Sequence, residues 1–297
     1  TSGLNQQLKV YDHSRFSNGN RESMNVLNDA TLKTVNSDGT KDSLSISMIA
    51  RDISFAYQPI IHMETGATHG VESLMRGHER LGFADINDVF DTVFRLGNLV
   101  EFEALLLQRA VSEFLKAGLP DSTRLFFNLD PRTIGAMDHV LSIVGPVLER
   151  HGMDRKRLCL EINERVDLDP AGDTARQLTE VRAEGIRIAL DDFGTGFSRL
   201  KILHDQHADY VKFDRYFIDN VSKDPKKRVF LSNMLDMFHL LGVTTVAEGI
   251  ETKTDLSTCH QLGFGLAQGY HIARPAIGLK HIKDVYELRA PPEPWAR

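Results

Sequence analysis

The sequence predicts an α/β fold: a (β/α)8 barrel of the TIM type, modified at its opening and preceded by a polar tail. Three observations predict it. Eight short apolar segments alternate with helical stretches from about residue 53 onward. Most of these segments end in a carboxylate or an amide. The first two are joined by Glu64-Thr65-Gly66, too short for a crossover helix, so that pair is expected to be an antiparallel hairpin.

The elements follow in order. Residues 1–50 are rich in Ser, Asn, Asp and Thr and read as a tail or linker. Met24, Leu27, Thr31 and Val35 fall at helical spacing, so one short helix is expected over Met24–Val35. The barrel domain is expected over residues 51–297. Its strands are predicted at Ile53–Ile61, His69–Leu74, Arg124–Leu129, Arg157–Ile162, Arg187–Asp191, Tyr210–Phe213, Thr244–Glu248 and Gly265–His271. Such runs suit parallel strands covered on both faces. Helices are predicted over Ile86–Ala117 with a break at Gly97, then Ile134–His151, Asp173–Glu184, Arg199–His204, Lys227–Leu241, Thr254–Leu262 and Lys280–Leu288. A doubly wound open sheet is the fallback. It lacks a phosphate loop, because Gly263-Phe264-Gly265-Leu266-Ala267-Gln268-Gly269 has the wrong spacing and leads into a strand.

Composition narrows the function. Hydrophobic residues make up 41% and charged residues 26%, the balance of a soluble globular chain. The net charge is −6 and no Lys/Arg run exceeds three, so neither a nucleic-acid polymer nor an anionic membrane is an expected partner. Cys159 and Cys259 form no CxxC or Cys/His cluster, which argues against zinc and for a reducing compartment. No apolar run approaches the roughly 18 residues of a membrane span, and the polar start lacks a signal-peptide core. A cytoplasmic protein, or the cytoplasmic portion of a larger one, is expected. The first residue is Thr, so the chain reads as a cut or processed piece, with an upstream sensory or regulatory domain expected.

The strand ends carry the chemistry. Glu72, Asn128, Glu161, Asp191, Asp192 and Glu248 offer hard oxygen donors at one end of successive strands. A single such carboxylate is as often a helix cap or a surface ion pair. Six together are better explained by divalent cations, because buried carboxylates cost several kcal/mol each without a positive partner. Oxygen donors without clustered histidines favour Mg²⁺ or Mn²⁺, and adjacent Asp191 and Asp192 suit two cations about 3.5–4 Å apart, the spacing of two-metal phosphodiester sites. Lys212 and Asp214, two apart, share a strand face, so Lys212 is expected beside the cluster or in an ion pair with Asp214. Glu72 and Arg76 likewise share a face, with Arg76 placed to grip a phosphate further out. The glycines of Phe193-Gly194-Thr195-Gly196-Phe197-Ser198 permit a mobile loop or a tight turn. Asp192-Phe193-Gly194 spells the kinase triplet, but no HRD motif or ATP loop accompanies it. The twelve histidines, including a lone His204-Asp205 pair, are read as core or surface residues.

These residues resemble the EAL domains, the phosphodiesterases of bacterial cyclic di-GMP signalling. Tyr57-Gln58-Pro59-Ile60 is similar to the family's YQPI, and Glu72-Ser73-Leu74 stands where its Glu-Ala-Leu belongs, followed by Arg76. Asn128-Leu129-Asp130-Pro131 resembles NLSP, Glu161-Ile162-Asn163-Glu164 resembles ExTE, and Asp191 to Phe197 resembles DDFGTGY. Lys212-Phe213-Asp214, Ala247 to Thr252, Gln268-Gly269-Tyr270 and Pro275 complete the set over about residues 53–275. The resemblance implies a TIM-like barrel, a homodimer, and hydrolysis of cyclic di-GMP to linear pGpG. It implies that Glu72, Asn128, Glu161 and Asp191 hold one cation, and that Asp191, Asp192 and Glu248 surround a second. Lys212 would position the attacking water, Glu248 would act as base, and Glu164 would anchor the mobile loop. Glu251 and Gln268 would support the site, while Gln58, Arg76, Asp214 and Pro275 would lie toward the nucleotide.

The chain departs from the family's usual residues at Ser73 (Ala), Gly77 (Trp), Asn163 (Thr) and Gly265 (Asp). None is a ligand of the implied cations. The competing functions are a catalytically inactive cyclic di-GMP receptor and a structural scaffold. Binding without turnover would mark the first, and no binding the second.

Overall fold

The computed structural model describes residues 31–35, 41–163, 173–194 and 208–288. The chain enters through an antiparallel hairpin, β1 (Thr31–Val35) and β2 (Lys41–Ser45), paired from Thr31↔Ser45 to Val35↔Lys41. The helix predicted over Met24–Val35 is thus corrected at its described end, which is strand: pairing with Lys41–Ser45 overrides a weak four-residue periodicity. Ser45 then caps α1 (Ile46–Asp52), accepting from Met48 N, and Ile46, Ile49 and Ala50 are buried in the main core.

The barrel has eight strands: β3 (Ser54–His62), β4 (Thr68–Arg76), β5 (Arg124–Leu129), β6 (Leu158–Asn163), β7 (Arg187–Phe193), β8 (Tyr210–Phe213), β9 (Thr244–Ala247) and β10 (Leu266–Ala267). Neighbours from β4 to β10 are parallel, and β10 closes the ring on β3. β3 runs antiparallel to both its neighbours, as the tight turn at Glu64-Thr65-Gly66 requires. A short β11 (Ala276–Ile277) pairs with β3 outside the ring.

Around the barrel lie α2 (Ile86–Arg95), α3 (Leu99–Lys116), α4 (Met137–Arg150), α5 (Asp173–Ala183), the short α6 (Arg215–Ile218), α7 (Pro225–Leu240) and α8 (Lys253–Leu262). Gly97, at φ 73°, separates α2 from α3 where the sequence predicts a break. Asp224 caps α7 ahead of Pro225, and Thr252 caps α8. Among the described residues no helix is long and apolar enough to cross a membrane.

Strand alternation sorts the core into layers. Ile60, Phe126, Cys159, Ala189, Tyr210, Val246 and Leu266 form a buried cluster of their own, apart from the larger cluster shared with the helices. One residue from each of seven strands therefore plugs the interior. On β4 the same layer is Gly70, where a Cβ would lie 2.5 Å from the Phe126 ring.

Two further predictions are corrected. The strand at Gly265–His271 shrinks to Leu266–Ala267, because the backbone then turns onto Ile250, which donates from N to Gln268 O and accepts from His271 N. Lys280–Leu288 is not helical: Tyr286 N donates to Gly66 O, and Thr68 N donates to Asp284 O, so the segment lies against the first hairpin. Glu164, Thr195 to Ser198, the helix predicted at Arg199–His204 and the His204-Asp205 pair lie outside the described residues.

Candidate active site

A side chain two residues further along a strand points the same way. The layer above Ile60, Gly70, Phe126, Cys159, Ala189, Tyr210, Val246 and Leu266 is therefore Gln58, Glu72, Asn128, Glu161, Asp191, Lys212, Glu248 and Gln268. All eight strands or their ends contribute one member. The order is reversed only on β3, whose antiparallel run puts Gln58 before Ile60. Every member is polar and sits at the C-terminal end of the parallel strands.

Lys212 occupies the centre, 1% exposed. Its Nζ lies 2.7 Å from Glu161 Oε1, 2.8 Å from Glu248 Oε1, 3.1 Å from Asp191 Oδ1 and 3.3 Å from Glu72 Oε2. Asn128 Nδ2 donates to Glu72 Oε1 at 2.9 Å, and Gln268 Nε2 donates to Glu72 Oε2 at 2.6 Å and to Gln58 Oε1 at 3.1 Å. Gln58 Nε2 in turn donates to Ala273 O. The amides thus clamp Glu72 and tie the first strand to the last.

Asp192 joins by a backbone device. It has φ 54°, and the β7–β8 register slips between Leu190 and Phe193. A bulge at a strand end re-aims a side chain that regular alternation would send outward. Asp191, Asp192 and Glu248 consequently each offer an oxygen within 4.8 Å of one another. Asn163 Nδ2 donates to Asp192 Oδ2 at 2.5 Å. The sequence marks Asn163 only as a departure, and gives no hint that it holds Asp192.

The charges are unbalanced. Five carboxylates face one ammonium, whose three N–H bonds cannot serve four carboxylates at once. Burial and neighbouring carboxylates push Glu161 and Glu248 well above the usual carboxylate range and Asp191 upward. Burial also opposes ionisation of Glu72, but Lys212, Gln268 and Asn128 outweigh it and hold Glu72 low. Burial disfavours the Lys212 ammonium, and the carboxylates hold it charged well above its ordinary range. Glu161 Oε2 is buried with no hydrogen-bond partner among the described residues. An all-oxygen donor set with excess negative charge and an orphaned buried carboxylate oxygen fits hard divalent cations.

The remaining sequence-predicted residues lie outside this layer. Asp214 does not pair with Lys212; it caps α6, accepting from Tyr216 N. Exposed Glu251 pairs with Arg215 at 2.9 Å. Arg76 is exposed and donates to the Met75 carbonyl, and Pro275 is half-buried. Gly77 adopts φ 102°, and a Cβ there would lie 3.0 Å from Asp52 O, so the larger side chain usual at this position would need a different backbone path. Ser73 Oγ donates to Phe126 O at 3.0 Å, satisfying its buried hydroxyl.

Comparison with known proteins places this arrangement. The EAL domain model matches residues 41–275. The chain is similar to the probable cyclic di-GMP phosphodiesterase PdeG of Escherichia coli K12, at 30% identity over 77% of the chain and 46% of that protein. It is also similar to the cyclic di-GMP phosphodiesterase RocR of Pseudomonas aeruginosa, at 29% identity over 74% of the chain and 56% of that protein. The chain thus spans about half the length of these relatives. Among solved structures, the PaMucR phosphodiesterase in complex with c-di-GMP superposes with a TM-score of 0.67, at 27% identity over 77% of the chain and 93% of that structure. A barrel with one antiparallel strand, a ring of inward oxygen donors around one lysine, and this matched span together show that the chain belongs to the EAL domain family.

Proposed function

We propose that the chain is a metal-dependent phosphodiesterase that hydrolyses cyclic di-GMP to linear pGpG. The observation that carries this reading is the inward layer: Glu72, Glu161, Asp191 and Glu248 converge on Lys212, Asn128 donates to Glu72, and Asp192 is turned in beside them. The names of PdeG, RocR and PaMucR support cyclic di-GMP as the substrate.

Glu72, Asn128, Glu161 and Asp191 would hold one Mg²⁺ or Mn²⁺, and Asp191, Asp192 and Glu248 a second. Bound there, the cations supply charge neutralisation at the phosphodiester oxygens and acidify water. The protein's own groups do the rest. Lys212 Nζ orients the attacking water and balances the carboxylates. Glu248 accepts the water's proton as its oxygen bonds to phosphorus; the P–O3′ bond breaks and the leaving oxygen takes a proton from solvent. Gln268 and Gln58 keep Glu72 in place. Arg76, with Pro275, Asp214 and Glu251, would contact the nucleotide, and Glu164 would serve as the loop anchor. A cytoplasmic homodimer regulated by a further domain is the assembly proposed.

The test is turnover of cyclic di-GMP by the purified chain with Mg²⁺ or Mn²⁺, beside Glu72→Ala. Linear pGpG from the wild type and none from the variant supports the reading. Tight binding without product under either cation would make the protein a receptor.

A further inference from the structure

We infer that the opposite, N-terminal end of the barrel holds a second site, a pocket for a phosphate group. Arg124, Arg187, Tyr210 and Thr244 begin β5, β7, β8 and β9, so parallel pairing gathers them at the end away from Lys212. With Arg182 and Asp209 they line a cavity of about 300 Å³, at the lower end of the small-ligand range.

The polar bonds in this cavity leave one guanidinium unmatched. Asp209 Oδ1 accepts from Arg187 Nη1 at 2.6 Å and Arg182 Nη2 at 3.3 Å. Its Oδ2 accepts from Arg182 Nε at 3.2 Å and Ile188 N at 3.0 Å. Four donors occupy the carboxylate, so it has nothing left for Arg124. Among the described residues, Arg124 reaches only the Ser122 carbonyl, from Nη1 at 3.3 Å, and its Nε is shielded from water with no acceptor. A guanidinium cannot shed its proton, so a buried N–H without an acceptor calls for one from outside the chain. Nearby His62 and His69 supply no anion; burial and Arg124 both hold their rings neutral. A phosphate group provides several acceptor oxygens and the compensating charge, and matches guanidinium geometry.

The phosphate could be free or carried on a nucleotide, and one titration separates the sources. The unfolding midpoint of the full, metal-free chain is followed against inorganic phosphate, 5′-AMP and acetate at fixed ionic strength. A saturable rise with phosphate or 5′-AMP, absent with acetate, is expected. Arg124→Gln should weaken the apparent affinity at least tenfold. Thr244→Glu, which brings a carboxylate to the cavity wall, should do the same and serves if Arg124→Gln does not fold. Affinity tenfold higher for 5′-AMP than for phosphate assigns a nucleotide monoester, and equal affinity assigns free phosphate. An equal rise with acetate, no saturable rise, or unchanged affinity in both variants overturns the site.

Discussion

Among the described residues, Lys212 is the only positive group among five carboxylates, and its replacement should separate stability from chemistry. Lys212→Met leaves uncompensated buried charge, for which a loss of about 3–5 kcal/mol is expected. Denaturant unfolding of the metal-free protein measures it, and added Mg²⁺ or Mn²⁺ should recover part of the loss without restoring turnover. Glu161→Gln should act in the other direction. It removes excess negative charge where burial already opposes ionisation, so the metal-free variant should melt higher while cation binding falls. A lower melting temperature for the metal-free variant would contradict the electrostatic account. At this scale the ring was legible in the sequence, because a carboxylate or amide ending an apolar run is hard to explain as a strand residue. Asp192's inward turn was not legible: it rests on a backbone φ of 54°, which residue identity does not specify.

Glu103 shows what an element contributes. It lies on the buried stripe of α3, 0% exposed, and reaches the link between β5 and α4. Asp130 N donates to Glu103 Oε1 at 2.5 Å; Thr133 Oγ1 contacts Glu103 Oε2 and donates to Asp130 O at 2.7 Å. The hydroxyl has one proton, so a protonated Glu103 that donates to Thr133 completes the chain of bonds. Burial raises its pKa to about 8, in agreement. The unfolded carboxyl ionises near pH 4.5 and the folded one near 8, so the unfolded state binds fewer protons between them. Stability should fall by a few kcal/mol as pH rises through that window and level off above it. Glu103→Gln keeps both bonds and should flatten the fall in pH-dependent unfolding. Gly269→Ala tests another junction. Its Cβ would lie 2.2 Å from Ile250 N and O, backbone that follows Glu248, and a loss of at least ~1–3 kcal/mol is expected on thermal unfolding. Helices with caps and a glycine break were readable from local pattern. Lys280–Leu288 was misread because its apolar spacing mimics a helix while its backbone bonds go to residues more than 200 positions earlier.

For the whole molecule, closure of the ring is uneven. β5 and β6 share five residue pairs, whereas β10 meets β9 and β3 through two pairs each. Hydrogen exchange should find Leu266 and Ala267 amides opening before those of Phe127 and Leu160, and the reverse order would show that the seam is not the weak point. The barrel was legible as a rhythm of apolar runs, and the Glu64-Thr65-Gly66 turn fixed the one reversed strand. How two residues suffice for the last strand was not, since the amide clamp of Gln268 on Glu72 and Gln58 depends on three distant segments. The reversal has a directional consequence. In an all-parallel barrel the first strand starts at the face remote from the chemistry. Here Ser54 pairs with Arg76, so the first strand starts at the catalytic rim, and α1 feeds directly into it. A push or twist applied to the chain ahead of Ser54 is delivered at the mouth of the site, three peptide bonds from Tyr57 and four from Gln58, without crossing the barrel.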